Sequence, residues 1–139
     1  RGLVMEVFEA DTLESLGRAD AGEGPTHVRA GPDNRFYVTD TRGDAVLIYG
    51  ARPEPERLGR VPLPGSPYGM AIDSERNHLW VTLTAKQRLV QFALGGDSLR
   101  EISRYPTVRQ PNTVAVDPAS GRVFVTGKTD GQLQILDPR

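Results

Sequence analysis

Pro111-Asn112-Thr113-Val114-Ala115-Val116-Asp117-Pro118, followed closely by Gly121-Arg122-Val123-Phe124-Val125-Thr126, is the stretch on which the reading of this chain turns. Two short runs rich in valine are separated by Asp, Pro, Ser and Gly, residues that supply turn-compatible backbone angles, so the segment reads as two strands joined by a tight turn. The same pattern occurs twice earlier. Ser66-Pro67-Tyr68-Gly69-Met70-Ala71-Ile72-Asp73 leads to His78-Leu79-Trp80-Val81-Thr82, and Gly24-Pro25-Thr26-His27-Val28 leads to Arg35-Phe36-Tyr37-Val38-Thr39. A third apolar run follows each time: Ala45-Val46-Leu47-Ile48-Tyr49, Arg88-Leu89-Val90-Gln91-Phe92 and Gln132-Leu133-Gln134-Ile135-Leu136. Pro25, Pro67 and Pro111 stand 42 and 44 residues apart, and Tyr37, Trp80 and Phe124 stand 43 and 44 apart.

A period of this length, filled with short strands, suits a four-stranded propeller blade. The expected fold is therefore all-β: a β-propeller segment of three blade repeats, each of four antiparallel strands. Leu79-Trp80-Val81 is apolar on both faces, as a strand must be when a neighbouring sheet covers each side. The fourth strands, 56–61 and 99–104, are the most polar and suit a solvated outer rim. Before Pro25, Val4-Met5-Glu6-Val7-Phe8 matches a third strand and residues 13–19 a fourth. The expected organisation is a single segment over 1–139: the end of a preceding blade (1–23), two blade repeats (24–64 and 65–108) and an incomplete one (109–139). Three blades do not close a ring, since propellers have about 4–8. The remaining blades are expected from a longer chain, or from a second copy that pairs with this one into a six-bladed ring.

Bulk composition narrows the classes of partner. Lys and Arg total 17 against 18 Asp and Glu, giving a net charge of −1 with both signs interspersed, which disfavours nucleic acid and anionic membrane surfaces. Cysteine is absent, so no disulfide or thiolate chemistry is available and the redox compartment stays open. No apolar run is long enough to be a membrane-spanning segment, and the first residues lack the regions of a signal peptide. Arg1 is not a natural start, which leads us to expect sequence upstream of it.

At 111–126 the chain resembles the YVTN-type and NHL-like propeller repeats, whose Pro-x-x-Val-Ala-Val-Asp-Pro and Gly-x-Val-Tyr-Val-Thr pattern it follows. The segment Tyr37-Val38-Thr39-Asp40-Thr41-Arg42-Gly43-Asp44 is similar to secreted actinobacterial lipoproteins of the YncE-like group. The resemblance covers nearly the whole chain and implies export to an extracellular or cell-surface location, with the signal peptide and lipid-bearing cysteine outside these residues. It is specific for fold and says little about activity. The first repeat departs from it: Arg29-Ala30-Gly31 replaces the Ala-x-Asp of the other two, so its inner strand is expected to be shorter or more exposed.

Within a blade, the loops entering the first strand and those joining the second to the third lie on one face of the ring. That places His27, Asp40, Arg42, Asp44, Tyr68, Lys86, Asn112, Lys128 and Asp130 around one mouth, where a rigid scaffold usually carries its binding loops. His27 beside Asp40 could serve as a base with its orienting carboxylate or as part of a metal site, but no third ligand or nucleophile accompanies the pair. A hydrogen-bonded structural histidine is the simpler reading. The other histidine, His78, falls by the opposite hairpin, which argues against a two-histidine metal site.

The segment 40–44 lacks the acidic ladder and distal glutamate of a calcium loop and reads as a turn. Gly65-Ser66-Pro67-Tyr68-Gly69 has its serine in the wrong place for a nucleophile elbow. Tyr37, Trp80 and Phe124 read as packing between blades, and Gly95-Gly96 as the turn between third and fourth strands. Tyr68 and Asn112 share the slot that Thr26 fills in the first repeat, a natural point of variation. No metal and no cofactor is expected.

The sequence thus assigns a fold and leaves the activity open. The favoured function is a non-catalytic cell-envelope propeller that binds a protein, peptide or glycan through His27, Asp40, Tyr68 and Asn112 on its loop face. The alternative is a lactonase-like hydrolase or a streptogramin-lyase-like enzyme with its site at the mouth and His27 as base; a third reading is an assembly module acting through its open edges.

Overall fold

The computed structural model describes residues 2–138, and among them the chain is all β: thirteen strands and no helix. The strands β1 (Val4–Phe8) and β2 (Ser15–Asp20) form a two-stranded sheet. β3 (Pro25–Ala30), β4 (Arg35–Asp40), β5 (Ala45–Gly50) and β6 (Glu56–Pro62) form a four-stranded meander. A second meander contains β7 (Pro67–Asp73), β8 (His78–Leu83), β9 (Arg88–Gly95) and β10 (Ser98–Pro106). Last come β11 (Pro111–Val116), β12 (Val123–Gly127) and β13 (Gln132–Leu136) in a three-stranded sheet. Every pairing is antiparallel. This is a partial β-propeller.

Turn chemistry recurs at the repeat period. Asn34, Asn77 and Gly121 take left-handed φ of 59°, 60° and 80° between first and second strands, and Asp44, Gln87 and Gly131 take 53°, 53° and 61° between second and third. Asparagine, aspartate and glycine tolerate that region best, which is why the short polar clusters of the sequence fall there.

The core lies between sheets. Tyr37 pairs with Ile48 and sits on one face of its sheet with Val46, and this face packs on Met70, Leu79, Val81, Leu83, Val90 and Phe92 of the next. The opposite face of that next sheet, with Ala71, Trp80 and Leu89, packs on Val114, Val123 and Val125. On the other side, Val38, Ala45, Leu47 and Tyr49 meet Met5, Ala19 and Phe36. All six residues of β5 are buried, as a strand covered on both faces requires. Each fully buried large side chain contributes about 1.5–3 kcal/mol relative to exposure. The outer strands β6 and β10 carry mostly exposed residues, matching their polarity. β3 is one residue shorter than β7 and far more exposed, the outcome anticipated from Arg29-Ala30-Gly31. In the last sheet Ala115, Phe124 and Ile135 align across one face, and Ile135 and Leu133 there are 58% and 60% exposed.

Threonines stitch one sheet to the next. Thr39 Oγ1 donates to the Tyr68 carbonyl at 2.7 Å and Thr41 Oγ1 to the Pro67 carbonyl at 2.7 Å; one repeat on, Thr84 Oγ1 donates to the Pro111 carbonyl at 3.0 Å. Thr82, the counterpart of Thr39, accepts from the Gly69 N–H at 2.8 Å. Thr39, Thr41 and Thr84 thus serve the neighbouring sheet, whereas Thr82 serves a backbone N–H of its own sheet. The first sheet is tied in differently, by the buried Tyr49 hydroxyl donating to the Asp20 carbonyl.

Replacing Thr39, which is fully buried, by valine removes the donor to Tyr68 and strands the His27 N–H that bonds Thr39 Oγ1. The expected loss is about 1–3 kcal/mol in denaturant unfolding, whereas Thr126→Val, in the same slot of the exposed last face, should stay within about 0.5 kcal/mol.

Burial pushes the Tyr49 hydroxyl up to about 12, against the opposing charge of Arg57. The unfolded hydroxyl ionises near pH 10, so this stability is intact below about pH 10 and is lost as the pH rises toward 12, at about 1.4 kcal/mol per unit. Alkaline unfolding curves of Tyr49→Phe should lack that extra slope; identical slopes in the two proteins would refute the assignment.

Candidate functional site

The structure brings His27 and Tyr68 together at the mouth. His27 Nδ1 lies 2.9 Å from the Tyr68 carbonyl, and the two rings meet edge to face with centroids 5.1 Å apart. The same carbonyl receives the Thr39 hydroxyl, so it serves as a shared acceptor between the first two meanders. Since a carbonyl can only accept, His27 carries a proton on Nδ1. Thr26, exposed at the slot before it, bonds the Thr41 hydroxyl at 2.7 Å and that of Thr39 at 3.0 Å. One repeat on, glycine replaces histidine: a Cβ on Gly69 would stand 2.4 Å from the Asn112 carbonyl. His27 and Gly69 are therefore two solutions to one contact. The first spans the gap with a ring and the second closes it with bare backbone.

Asp40 is placed differently from a base's partner. It is 2% exposed, and its carboxylate accepts from the N–H of Glu23 at 3.0 Å, Gly24 at 2.7 Å and Gly43 at 3.1 Å. Among the described residues no hydrogen bond joins this carboxylate to the His27 ring. The loop backbone around it is moulded to the charge: a Cβ on Gly22 or Gly43 would come within 2.1 Å of Asp40 Oδ2. Three N–H donors converging on a buried carboxylate form a closed nest. Asp44 does a related job, accepting from the N–H of Gly65 at 3.2 Å and Ser66 at 3.0 Å. The segment 40–44 is thus a turn, with both carboxylates committed to backbone. Among the described residues no three His, Cys, Asp or Glu side chains group as a metal site.

Beyond this frame, the mouth presents exposed side chains. Arg42 lies over Gly24, and Lys86 over Gly65. Asp130 lies 3.7 Å from Arg109, and Thr129 bonds Gln110 at 2.7 Å. Asn112 is half-buried, and Lys128 is exposed. His27 also lines a cavity of about 290 Å³ between β1 and β3, with Met5, Glu6, Val28 and Val38.

A second polar group, which the sequence reading missed, lies toward the opposite end of the sheets. Gln91 Nε2 is 3.1 Å from His78 Nδ1, and the Tyr105 hydroxyl donates to Gln91 Oε1 at 3.3 Å. Trp80 packs against Tyr105 with ring centroids 5.8 Å apart. Nearby, buried Asp73 is paired with Arg76 at 3.0 Å. A signal was present in the sequence: Ile48, Gln91 and Ile135 occupy one column of the repeat, and only the middle member is polar.

No family model and no curated protein matches the chain. Solved structures do. The chain is similar to part of a mitotic checkpoint complex structure, with TM-score 0.83 and 12% identity, over 95% of this chain and 42% of that one. It is similar to the β-propeller domain of Cps50 (Swd1) from Myceliophteria thermophila, with TM-score 0.77 and 10% identity, over 98% and 48%. A provisional 6-phosphogluconolactonase of Bacteroides fragilis matches with TM-score 0.78 and 15% identity, over 88% and 37%. The chain therefore spans less than half the length of these structures, and identities this low establish the β-propeller fold alone.

Removing the buried Asp40 carboxylate leaves three partly buried N–H groups without their acceptor. Asp40→Ala should lower unfolding free energy by roughly 3 kcal/mol. Gly43→Ala should shift the unfolding midpoint in the same direction, by steric displacement of that carboxylate.

Proposed function

We propose that this propeller is a non-catalytic binding module of the cell envelope, engaging a protein, peptide or glycan through its loop face. The observation that carries this reading is the commitment of the mouth's acid–base groups to structure. Asp40 and Asp44 hold backbone N–H groups, and His27 Nδ1 bridges to the Tyr68 carbonyl. What stays available are Tyr68 and Asn112, at one repeated slot, flanked by exposed Arg42, Lys86, Lys128 and Asp130. Mixed charge around an aromatic and an amide suits recognition of polar polymers and peptides better than a single fixed reaction. The envelope location rests on the resemblance to secreted YncE-like lipoproteins.

A second reading has one specific observation in its favour. A neutral imidazole with Nδ1–H on a carbonyl has Nε2 free to accept a proton, which is the arrangement of an oriented general base. His27 would then act in a lactonase-like or lyase-like reaction at the mouth, and the first of these is the kind of activity for which the Bacteroides neighbour is named.

The test separates the two. Defined peptides, glycans and envelope proteins are titrated against the chain and against a Tyr68→Ala/Asn112→Ala variant checked for retained β structure by circular dichroism. A saturable partner is expected, with affinity reduced about tenfold or more in the variant. Binding that ignores both substitutions would refute the mouth as the site. Lactone turnover that vanishes in His27→Ala would favour the enzymatic reading instead.

A further inference from the structure

The seam between the two meanders differs from the seam that follows it at one place, the end of the sheets away from the mouth. Ala30 pairs with Phe36, Ile72 with Leu79 and Val116 with Val123, so Gly31, Asp73 and Asp117 hold equivalent positions just past or at the ends of first strands. Asn34, Asn77 and Gly121 are equivalent too, each left-handed shortly before a second strand. Asp33 therefore stands where Arg76 stands one repeat later, and Ser74 where Pro118 stands.

In the later seam the chain fills this place itself. Arg76 is held by Asp73 Oδ2 at 3.0 Å and reaches the Pro118 carbonyl, beyond the seam, at 2.9 Å. The earlier seam has neither half of that ion pair: glycine replaces the aspartate and aspartate replaces the arginine. Its turn, 32–34, is also one residue shorter than 74–77. The space left is a cavity of about 310 Å³, walled by Ala30, Gly31, Pro32 and Ile72 with Ser74 and Asn77 on its polar side. Both sheets that bound it are four-stranded.

Acceptors without partners gather around this cavity. Among the described residues the Ser74 carbonyl and the Asn77 side chain make no hydrogen bond, and the carboxylates of Asp33 and Glu75 enter no ion pair. The nearby cations are committed, Arg35 to Asp97 at 2.8 Å and Arg76 to Asp73. A separate observation comes from Tyr37, which is 1% exposed and whose hydroxyl makes no hydrogen bond among the described residues. It lines a small void of about 30 Å³ with Asp33, Asn77 and Gly95, and Pro32 and Asn77 wall both spaces. Its ring passes so close to Gly31 that a Cβ there would stand 2.6 Å from Tyr37 Cε2. A buried phenol hydroxyl ordinarily finds a partner. Free carbonyl, amide and phenol oxygens beside two unpaired carboxylates, over apolar walls, call for a donor-rich cation on an apolar stem. The arginine side chain, with five N–H donors and three methylenes, has that form.

We propose that this cavity is a docking slot for an arginine side chain of a basic partner peptide, its guanidinium lying between Asp33 and the Ser74 carbonyl and its methylenes against Pro32 and Ile72. The incoming arginine takes the part that Arg76 plays from within the chain at the next seam, which favours a polypeptide over a small free cation. Charge at this end of the sheets suits such a partner, since Asp33, Asp73, Glu75, Asp97 and Asp117 outnumber Arg35, Arg76 and Arg122. The slot lies opposite the loop face and does not depend on the reading of the mouth.

The full chain, labelled with ¹⁵N, is titrated with a terminally blocked pentapeptide of four glycines around one central arginine, and the backbone and side-chain amide resonances of Asn77 are followed. They should move saturably, while the same peptide carrying citrulline, of like shape without the charge, should leave them still. Asp33→Asn keeps a residue that tolerates the left-handed turn; combined with Glu75→Gln it is expected to retain a dispersed spectrum and to weaken the arginine peptide about tenfold or more. Tyr37→Phe, which installs the ring that Phe124 supplies in the last repeat, should weaken it as well. Asn77 resonances unmoved by millimolar arginine peptide in the folded chain overturn the proposal, as does equal binding of the citrulline peptide or undiminished binding by the Asp33→Asn/Glu75→Gln variant. A lysine peptide that binds as tightly would overturn the assignment to a guanidinium, and free argininamide that moves the resonances where the peptide fails would overturn the assignment to a peptide.

Discussion

Everything in this molecule depends on sheets that bury both faces. A strand such as β5, with no exposed residue, has no solvent side, and its hydrophobic contribution exists only while a sheet stands on each flank. This explains features that otherwise look unrelated. Second and third strands lose the polar alternation of an ordinary surface sheet, and fourth strands regain it at the rim. Thr39, Thr41 and Thr84, at or just past the ends of second strands, point hydroxyls at carbonyls of the adjacent sheet, because backbone there must be satisfied across the interface. The exposed Leu133 and Ile135 show the same surface chemistry on a face where no further sheet is described.

The constraint also decides what the mouth can do. Loops that tie two sheets together need donors and acceptors aimed at backbone, and Asp40, Asp44, His27, Thr39 and Thr41 supply them. Polar residues that in a sequence suggest chemistry are here parts of the joint. In the proposed binding reading, recognition falls to side chains outside these hydrogen bonds, foremost Tyr68 and Asn112.

The fold was legible because its signal is periodic. Prolines, aromatics and turn residues recur with the spacing of the sheets, and each strand's type follows from a local run: Val4–Phe8 was read within its observed bounds, and β2 within two residues at its start. The candidate site was only partly legible. Sequence placed His27 and Tyr68 on the same face and proposed a hydrogen-bonded histidine, but it could not show that the bond reaches the next repeat's carbonyl, a contact 41 residues away. Nor could it show that Asp40 turns inward to its own loop rather than toward His27, since both directions suit the same residue type. The Gln91 cluster escaped for a different reason. Each member is unremarkable alone, and only its column in the repeat, read against Ile48 and Ile135, marks it as an exception.

The three hydrophobic clusters share no residue, each belonging to one gap between sheets. Stability is accordingly assembled in series, and energetic effects at one gap add to those at another rather than coupling with them. Such modularity gives each gap its own latitude to change. A polar cluster such as Gln91, His78 and Tyr105 can settle in one seam while its neighbours stay oily, and the chain need not retune the rest to accommodate it.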